Sequence, residues 1–186
     1  MKIIAFAGSN HSNSINKKLA TYASSLFKNC EVEVLDLNHY EAPLFSIDTE
    51  KVIGQAEEAK SFLEKINSAD ILVVSLAEHN GNYAAAFKNL IDWCSRIEKG
   101  FFQNKPMLLM ATSPGARGGK SVLEIAQNNL TRFDANIQAV FSLPSFNENF
   151  DLETNRITNA DLDSELKQNV QKLQILIDEE SAYNFS

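Results

Sequence analysis

Cysteine, positive charge and long apolar runs are all scarce in this sequence of 186 residues. Its two cysteines, Cys30 and Cys94, lie far apart and form no CxxC pattern, which is typical of a protein in a reducing cytoplasm. The net charge of −7 argues against a nucleic-acid partner, because such a protein needs a basic face to displace counterions. No apolar run approaches the roughly 18 residues that cross a bilayer. We therefore expect no nucleic-acid partner and no membrane partner.

The composition is otherwise that of a globular protein with a substantial core. Hydrophobic residues make up 44% of the chain and charged residues 22%. A chain of 186 residues predicts a single domain over 1–186. The first residues, MKIIAFAGSN, hold one lysine and a short apolar run that turns polar at once. This run is too short for a secretion signal, so we expect the protein to be cytoplasmic.

Five short apolar runs predict β-strands. They are Lys2–Gly8, Glu31–Leu37, Ile71–Ala77, Met107–Ser113 and Ile137–Leu143. Three of them are apolar nearly throughout, which is typical of parallel strands with helices on both faces.

Amphipathic patterns predict a helix after each strand. The helices cover about residues 14–27, 52–67, 87–96, 120–133 and 161–177. Cys94 falls on the apolar stripe of the third helix, so we place it in the core. The last helix begins near Asp161, where the pattern Thr158-x-x-Asp161 resembles a capping box. Its predicted inner face is Leu162, Leu166, Val170, Leu173 and Ile177.

Five βα units with right-handed crossovers predict a doubly wound α/β sandwich of three layers. Its parallel sheet has five strands, and the flavodoxin-like order 2-1-3-4-5 fits a chain without a second mononucleotide half. Ligands of such sheets bind outside the carboxyl ends of the strands, where the strand order reverses. The loops after the first, third and fourth strands are therefore the candidate site.

The first of these loops, GSNHSNSIN, leads directly into a helix. A helix N-terminus already favours an anion through its free N–H groups and its dipole. Small polar side chains add donors, and they exceed what a helix cap needs. This chemistry suits a phosphate monoester. The donors are Ser9, His11, Ser12, Ser14 and Asn16.

Two better-known phosphate loops do not fit this stretch. The dinucleotide fingerprint needs glycines where the chain has Asn10 and Asn13, and no G-K-[ST] of a Walker loop follows. Without those glycines, Asp36 at the end of the second strand is a weak candidate for a ribose contact.

The second loop, EHNGNY, combines a turn with polar and aromatic side chains. Asn80-Gly81 allows positive φ and lets a flat ligand approach the main chain closely. Glu78, His79 and Tyr83 offer polar handles and an aromatic wall. We interpret this stretch as one wall of a ligand pocket.

The third loop, TSPGARGG, holds three of the seven glycines in the chain. A bare turn needs only one, so a backbone-lined ligand wall is favoured. Arg117 is either solvated or a contact to a nucleotide phosphate, and the sequence leaves both open. The polar stretch Pro144–Asn159 is a surface loop with a small hairpin, and its role as a connector or a cover over the site also stays open.

The three loops together resemble those of the NADPH-dependent FMN reductase family of flavodoxin-like quinone, azo-dye and chromate reductases. The motif G-S-x-R-x-x-S-x-N is matched by Gly8, Ser9, Ser14 and Asn16, with His11 in place of arginine. The motif P-E-Y-N-G-S-Y-P followed by L-K-N-x-I-D-W is matched from Glu78 to Trp93, with Ala77 and His79 replacing proline and tyrosine. The motif S-x-G-x-x-G-G is matched from Ser113 to Gly119.

The resemblance implies an FMN site and no metal site. The first loop would contribute Ser9, His11, Ser14, Ile15 and Asn16 to the phosphate. The other two loops would surround the isoalloxazine ring, the second with Glu78, His79, Asn80, Gly81 and Tyr83 and the third with Ser113, Gly115, Gly118 and Gly119. No side chain is then needed as a catalytic acid or base, because the flavin carries the redox chemistry.

The resemblance also implies an activity and a partner. Hydride would pass from NADPH or NADH through FMN N5 to a quinone-like or other small oxidant by a ping-pong mechanism. The chain would self-associate as a dimer or tetramer through the Phe87–Arg96 helix, which we expect to carry Lys88 and Trp93 outside its core stripe. The alternative is a monomer with one partly exposed tryptophan.

Two other functions stay open. One is a non-catalytic electron carrier of the flavodoxin type, which the L-K-N-x-I-D-W helix disfavours. The other is a flavin-free protein that binds a different phosphorylated ligand.

Overall fold

A five-stranded parallel sheet forms the centre of the computed structural model, which describes residues 1–183. The strands are β1 (Lys2–Gly8), β2 (Glu31–Leu35), β3 (Ile71–Leu76), β4 (Pro106–Thr112) and β5 (Asn136–Leu143). They lie in the order β2-β1-β3-β4-β5, and every neighbouring pair is parallel. The predicted flavodoxin-like order is confirmed. Each predicted strand is found with its ends shifted by two residues at most.

Seven α-helices connect and flank the strands in the described residues. They are α1 (Ile15–Ser25), α2 (Ile47–Ile53), α3 (Glu57–Asn67), α4 (Ala85–Ile97), α5 (Lys120–Asn129), α6 (Phe146–Asn149) and α7 (Ala160–Tyr183). Short 3₁₀ turns cover Leu37–Tyr40 and Leu130–Phe133. None of these helices is long and apolar enough to cross a membrane.

The sheet is buried on both faces. Buried side chains of α1 and α7 pack on one face, together with Ile3, Ala5 and Val73 of the strands. Buried side chains of α3, α4 and α5 pack on the other face, together with Phe6 and Val74. Successive residues of a strand point to opposite faces, which is why each strand is apolar nearly throughout.

Two helix predictions are wrong in detail. The predicted helix 52–67 is two helices, because Gly54 has φ +74 and ends α2. The last helix is capped by Asn159 rather than by Thr158. The Asn159 Oδ1 accepts from the N–H groups of Asp161 and Leu162 at 3.1 and 3.2 Å.

The inner face of α7 follows the prediction as far as its side chains are described. Leu166, Val170 and Leu173 are buried, and Leu162 packs against them while partly buried. The fifth predicted member, Ile177, lies outside the described side chains.

The prediction that Trp93 protrudes from the third predicted helix is wrong. Trp93 is fully buried, its Nε1–H donates to the Pro43 carbonyl at 2.7 Å, and its ring packs edge-on against Phe45 at 5.1 Å. The loop before α2 therefore covers this tryptophan. Lys88 is exposed as expected and forms an ion pair with Asp92. Trp93 consequently gives no support to an interface on this helix.

The stretch after β5 contains the small hairpin that the sequence predicts. Phe150–Asp151 pairs antiparallel with Arg156–Ile157, and we call this unit the second hairpin. Phe150 and Ile157 are buried against α1 and α7, and Phe150 meets Tyr22 edge-on at 6.1 Å. The segment is thus part of the core on one face of the sheet rather than a free connector. Cys94 is fully buried, as predicted, and both cysteines are free.

Candidate functional site

The three predicted loops meet around one small cavity at the carboxyl edge of the sheet. It has a volume of about 180 Å³. The predicted residues in its lining are Ser9, His11, Ser14, Ile15, Asn16, Glu78, His79 and Ser113. Ala77, Thr112 and Pro114 also line it and were not predicted, although each adjoins a predicted loop residue. Asn80, Gly81, Tyr83, Gly115, Gly118 and Gly119 do not line it.

The first loop is shaped by its own hydroxyl groups. The Ser14 side chain caps α1 by accepting from the Lys17 N–H at 3.2 Å. The Ser9 hydroxyl accepts from the His11 N–H at 3.2 Å. The N–H groups of Ile15 and Asn16 belong to the first helical turn and precede any helical acceptor. An anion placed here meets free amides and the positive end of the helix dipole.

The Asn16 side chain has a structural role that the sequence did not suggest. It is buried, and its Nδ2 donates to the Thr112 carbonyl at 3.1 Å while its Oδ1 accepts from the Thr112 N–H at 2.9 Å. The same Oδ1 accepts from the Ser75 hydroxyl at 2.8 Å. These bonds join the start of α1 to the ends of β3 and β4. The backbone N–H of Asn16, at the start of α1, stays available to a ligand.

The stretch EHNGNY is a β-hairpin with a two-residue turn, and we call it the site hairpin. Glu78 and His79 pair with Tyr83 and Asn82. Asn80 and Gly81 have φ of 52° and 75°, which is the pattern of a type I′ turn. The predicted positive φ is confirmed. No heavy atom lies within 4 Å of a Cβ built at Gly81, so the backbone angle rather than space calls for glycine there.

Glu78 fixes the site hairpin to α5. Its Oε2 accepts from the Val122 N–H at 3.1 Å, in the first turn of that helix. A carboxylate in this position also meets the positive end of the helix dipole. The Glu78 charge is therefore compensated within the protein, which lowers its repulsion of an anionic ligand in the cavity. His79 and Asn80 remain exposed.

Tyr83 does not form the predicted aromatic wall. Its ring is buried beneath the site hairpin and packs edge-on against Phe87 at 5.4 Å. The hydroxyl is buried and has no hydrogen-bond partner among residues 1–183. Burial raises the pKa of this phenol well above its ordinary value. The exposed surface of the site hairpin is consequently polar, and His79 supplies its exposed aromatic ring.

Two of the three glycines in the third loop are required by packing. Gly118 and Gly119 have φ of 57° and 77°. A Cβ would stand 2.9 Å from the Pro144 nitrogen at Gly118 and 2.7 Å from the Ala111 Cβ at Gly119. Gly115 is different, because its φ is not positive and its surroundings are open. Of the three glycines, Gly115 alone is free for a ligand role.

The third loop is held by the segment after β5. The Ser145 and Phe146 N–H groups donate to the carbonyls of Gly115 and Ser113, both at 3.0 Å. The segment thus braces one wall of the site, which resolves the choice between connector and cover in favour of a support. Arg117 is exposed, and its guanidinium donates to the Ser121 hydroxyl at 3.0 Å.

The donor set fits the phosphate end of FMN. Hydroxyls, free amides and a helix N-terminus surround the cavity, and its one carboxylate is engaged with Val122. The volume of about 180 Å³ lies below the roughly 300–1,000 Å³ that encloses a whole ligand. We infer that the cavity takes one end of a longer molecule. No group of three or more His, Cys, Asp or Glu side chains in the described residues could hold a metal ion.

Comparison with known proteins also indicates a flavin-dependent reductase family. The sequence model of the family described as NADPH-dependent FMN reductase matches residues 1–148. The chain is 30% identical over 119 residues to the NAD(P)H-dependent FMN reductase of Pseudomonas aeruginosa, covering 63% of each protein. It is 28% identical over 120 residues to the quinone reductase of Escherichia coli K12, covering 64% of this chain and 63% of that protein. The match thus spans a little under two thirds of these relatives.

Solved structures share the fold over nearly the whole chain. The flavoenzyme NAD(P)H:(acceptor) oxidoreductase of Paracoccus denitrificans has a TM-score of 0.73 at 22% identity, covering 96% of this chain and 97% of that one. The FMN-dependent NADH-azoreductase of Bacillus anthracis in complex with FMN has a TM-score of 0.63 at 13% identity, covering 94% of this chain and 100% of that one. At these identities the likeness concerns the fold.

Proposed function

The chain belongs to the NADPH-dependent FMN reductase family, and from that premise we propose that it is an FMN-dependent NAD(P)H oxidoreductase acting on a quinone-like or other small oxidant. The observation that carries the proposal is the convergence of the first loop, the site hairpin and the third loop on one donor-rich cavity. Ser9, Ser14 and the first-turn amides of α1 would hold the FMN phosphate. The exposed site hairpin and the open stretch at Gly115 would face the rest of the molecule.

FMN, when bound, would supply the capacity to accept and release a hydride. The protein then has to bind and orient reactants rather than act as acid or base. Ser9 and Ser14 hold the loop in shape, while Asn16 and Glu78 fix the walls of the cavity relative to one another. Fixed donors of this kind need no rearrangement when charge changes, which is how a preorganised site favours the charged state.

A direct binding experiment tests the cofactor assignment independently of turnover. Titration of FMN into flavin-free protein, followed by fluorescence quenching, should show one saturable site per chain. Ser14→Ala should weaken it by about tenfold, because the α1 cap and a phosphate donor are lost together. Ser25→Ala at the other end of α1 is the control. A protein that cannot be reconstituted with FMN would instead be the binder of another phosphorylated ligand.

We also propose that donor and oxidant use the same exposed face in turn, which gives ping-pong kinetics. The support is that the exposed site hairpin adjoins the cavity, with His79 in the cavity lining. Double-reciprocal plots at several oxidant concentrations should then be parallel. Intersecting lines would mean a ternary complex and would reject a shared site. A flavodoxin-type electron carrier would bind FMN but would not oxidise NADPH or NADH.

Self-association as a dimer or tetramer remains part of the proposal, on different residues from those first expected. Four large apolar side chains near α2 are strongly exposed, with relative exposures of 49–83%, and α2 buries none of its residues. They are Leu44, Ile47, Val52 and Ile53. An exposed apolar cluster of this kind is typical of a contact between protein surfaces. Light scattering of Val52→Asp should report a single-chain mass, whereas wild type should be larger; a single-chain wild type would end this part of the proposal.

A further inference from the structure

A second and larger groove lies beside the first loop. It has a volume of about 800 Å³ and runs along α1, opposite the start of α7 and the tip of the second hairpin. The charged and aromatic residues in its lining are Lys17, Lys18, Tyr22, Arg156, Asp163 and Lys167. Its volume falls within the range of small-molecule sites. Ser14 lines both this groove and the candidate FMN cavity, so the two adjoin.

The groove is positively charged in a protein whose net charge is −7. Its lining holds four cationic side chains and one carboxylate, Asp163. Two of the cations are compensated, since Lys17 pairs with Asp36 at 2.6 Å and Lys167 with Asp163 at 2.5 Å. Lys18 and Arg156 form no ion pair with any side chain that the structure describes. Their charge is available to a ligand.

The carboxylates near these two cations have other hydrogen-bond or ion-pair partners. Asp163 accepts a hydrogen bond from the Tyr22 hydroxyl as well as pairing with Lys167. Arg156 lies on the second hairpin, and Asp151 is its partner in strand pairing there. Asp151 is itself engaged by the Thr154 hydroxyl at 2.6 Å and the Glu153 N–H at 2.8 Å. Asp151 still attracts Arg156 electrostatically across the hairpin, but the two side chains form no ion pair in the described residues.

The neutral lining is mostly polar, although the Thr21 and Ser25 hydroxyls already donate to the carbonyls of Lys17 and Tyr22 within α1. Residues three and four apart on a helix share one face, which brings Ser14, Lys18, Thr21 and Ser25 into one row along α1. A lysine from α1 and an arginine from the second hairpin then face a common space. Arginine can bind phosphate with two parallel bonds and lysine with one, so the pair suits a dianion better than a single negative charge.

We propose that this groove binds the phosphate group of a phosphorylated small molecule other than FMN, with Lys18 and Arg156 as the principal contacts. Two sources share this chemistry. One is the 2′-phosphate of NADPH, a reading that rests on the proposed function and would make the groove the basis of a preference for NADPH over NADH. The other is a separate phosphorylated metabolite.

Calorimetry on FMN-loaded protein tests the groove while the first loop is occupied. The probes are 2′,5′-ADP, 5′-AMP and inorganic pyrophosphate. Wild type should bind at least one of them with a Kd below about 1 mM, which is the upper end of the KM range typical of enzymes. The double variant Lys18→Gln/Arg156→Gln should bind it at least tenfold more weakly. Lys60→Gln/Lys88→Gln removes two cations from the helices on the opposite face of the sheet and should bind as wild type does.

The same probes and variants distinguish the two possible sources of the phosphate group. If the 2′-phosphate of NADPH is the ligand, 2′,5′-ADP should bind more tightly than 5′-AMP and compete with NADPH, and the double variant should raise KM for NADPH but not for NADH. If a separate metabolite is the ligand, pyrophosphate or 5′-AMP should bind without competing with either nucleotide.

Three results would overturn the proposal. They are no binding of any probe to FMN-loaded wild type, equal binding by the double variant and its control, or binding that occurs only without FMN and is displaced by it. Each of these results is compatible with FMN binding, because Lys18 and Arg156 do not line the FMN cavity, and the third result requires FMN to bind. Failure here is therefore distinguishable from failure of the proposed function, which the fluorescence titration measures.

Discussion

The side-chain amide of Asn16 forms two hydrogen bonds with the main chain of Thr112, one to its carbonyl and one from its N–H. The donor bond is 3.1 Å long and the acceptor bond 2.9 Å, and the residues are 96 positions apart. This contact fixes the first loop against the end of β4, the strand that carries the third loop. The spacing of two walls of the candidate site thus depends on one buried side chain.

We expect Asn16→Ala to destabilise the fold by about 3 kcal/mol, because the Thr112 N–H and carbonyl and the Ser75 hydroxyl all lose a buried partner. FMN affinity should fall as well, since the loop is no longer held in place. Asn13→Ala, an exposed residue of the same loop, is the control and should change neither quantity. Urea unfolding and flavin titration measure them. An unchanged urea midpoint for Asn16→Ala would contradict this account of the loop.

Tyr83→Phe should leave the protein as stable or stabilise it by about 1 kcal/mol. The phenol hydroxyl is buried without a partner among the described residues, and removing such a group relieves a desolvation cost. Tyr22→Phe makes the same chemical change with the opposite expected sign, because the Tyr22 hydroxyl donates to Asp163. Thermal unfolding of both variants gives the comparison. A loss of stability in Tyr83→Phe would mean that its hydroxyl has a partner in solution.

Gly118→Ala should be destabilising by about 3 kcal/mol and Gly115→Ala nearly neutral. At Gly118 an alanine would need a positive φ and would press on the Pro144 backbone, whereas the nearest atom to a Cβ at Gly115 is 4.0 Å away. The two variants therefore separate a glycine that packing requires from one that packing does not require. If both have wild-type stability by urea unfolding, the loop is looser than its contacts indicate.

Acid stability should depend on the ion pair between Lys17 and Asp36. The Lys17 ammonium at 2.6 Å, helped by hydrogen bonds from Asn38, lowers the pKa of the Asp36 carboxyl from 3.8 to about 2. A lowered pKa in the folded state adds stability above the unfolded value, and this is lost as pH falls from about 4 to 2. Because Asp36 is partly solvated, we expect about 1 kcal/mol.

The matched experiment is denaturant unfolding of wild type and Asp36→Asn from pH 7 to pH 2. The variant should be less stable at pH 7 and equal at pH 2, where the wild-type carboxyl is also becoming protonated. Asp48→Asn removes an exposed carboxylate with a longer ion pair of 3.3 Å and should show no such difference. A constant gap between wild type and Asp36→Asn at every pH would show that the pair does not titrate as described.

The sheet was predictable from sequence because its signals are local. Buried parallel strands are apolar on both faces, and the Asn80-Gly81 turn requires a backbone that few other dipeptides adopt. Each signal lies within about eight residues of chain. The strand order followed from two observations. Crossovers between parallel strands are right-handed, and the chain lacks a second mononucleotide-binding half.

The failures concern contacts between distant parts of the chain. Trp93 lies off the stripe defined by its own helix, and only the crossing of the Pro43–Phe45 loop buries it. Val52 was predicted to start a helix, yet it lies near the end of α2, which stops before Gly54, and its side chain is 83% exposed.

Asn16 and Glu78 were predicted as ligand contacts, and the structure also uses them to join strand and helix ends. The residue types that bind a ligand are the ones that satisfy buried main chain, so sequence could not separate the two roles. Their contact with FMN stays a prediction.

His11 offers the sharpest test of the first loop. It is exposed and lines the FMN cavity, and it occupies the position where the family motif has arginine. Arginine keeps its charge at every accessible pH and can bind a phosphate with two bonds, whereas histidine loses its charge near neutral pH. We expect FMN affinity of wild type to fall as pH rises from 6 to 8.5. The affinity should not vanish, because the hydroxyls and the α1 amides remain.

The wild-type curve alone is ambiguous, because the phosphate of FMN itself titrates near pH 6. The His11→Arg variant binds the same ligand, and its arginine cannot lose its charge. The difference between the two affinity curves therefore gives the contribution of residue 11. One charge-assisted bond is worth about 1.5–3 kcal/mol, and the variant should therefore bind FMN at least tenfold more tightly at pH 8.5, with a smaller gain at pH 6. His39→Arg makes the same change at an exposed histidine outside the cavity and should follow wild type. If His11→Arg also follows wild type across the range, residue 11 does not touch the phosphate, and the anion must be held by the serines and the helix N-terminus alone.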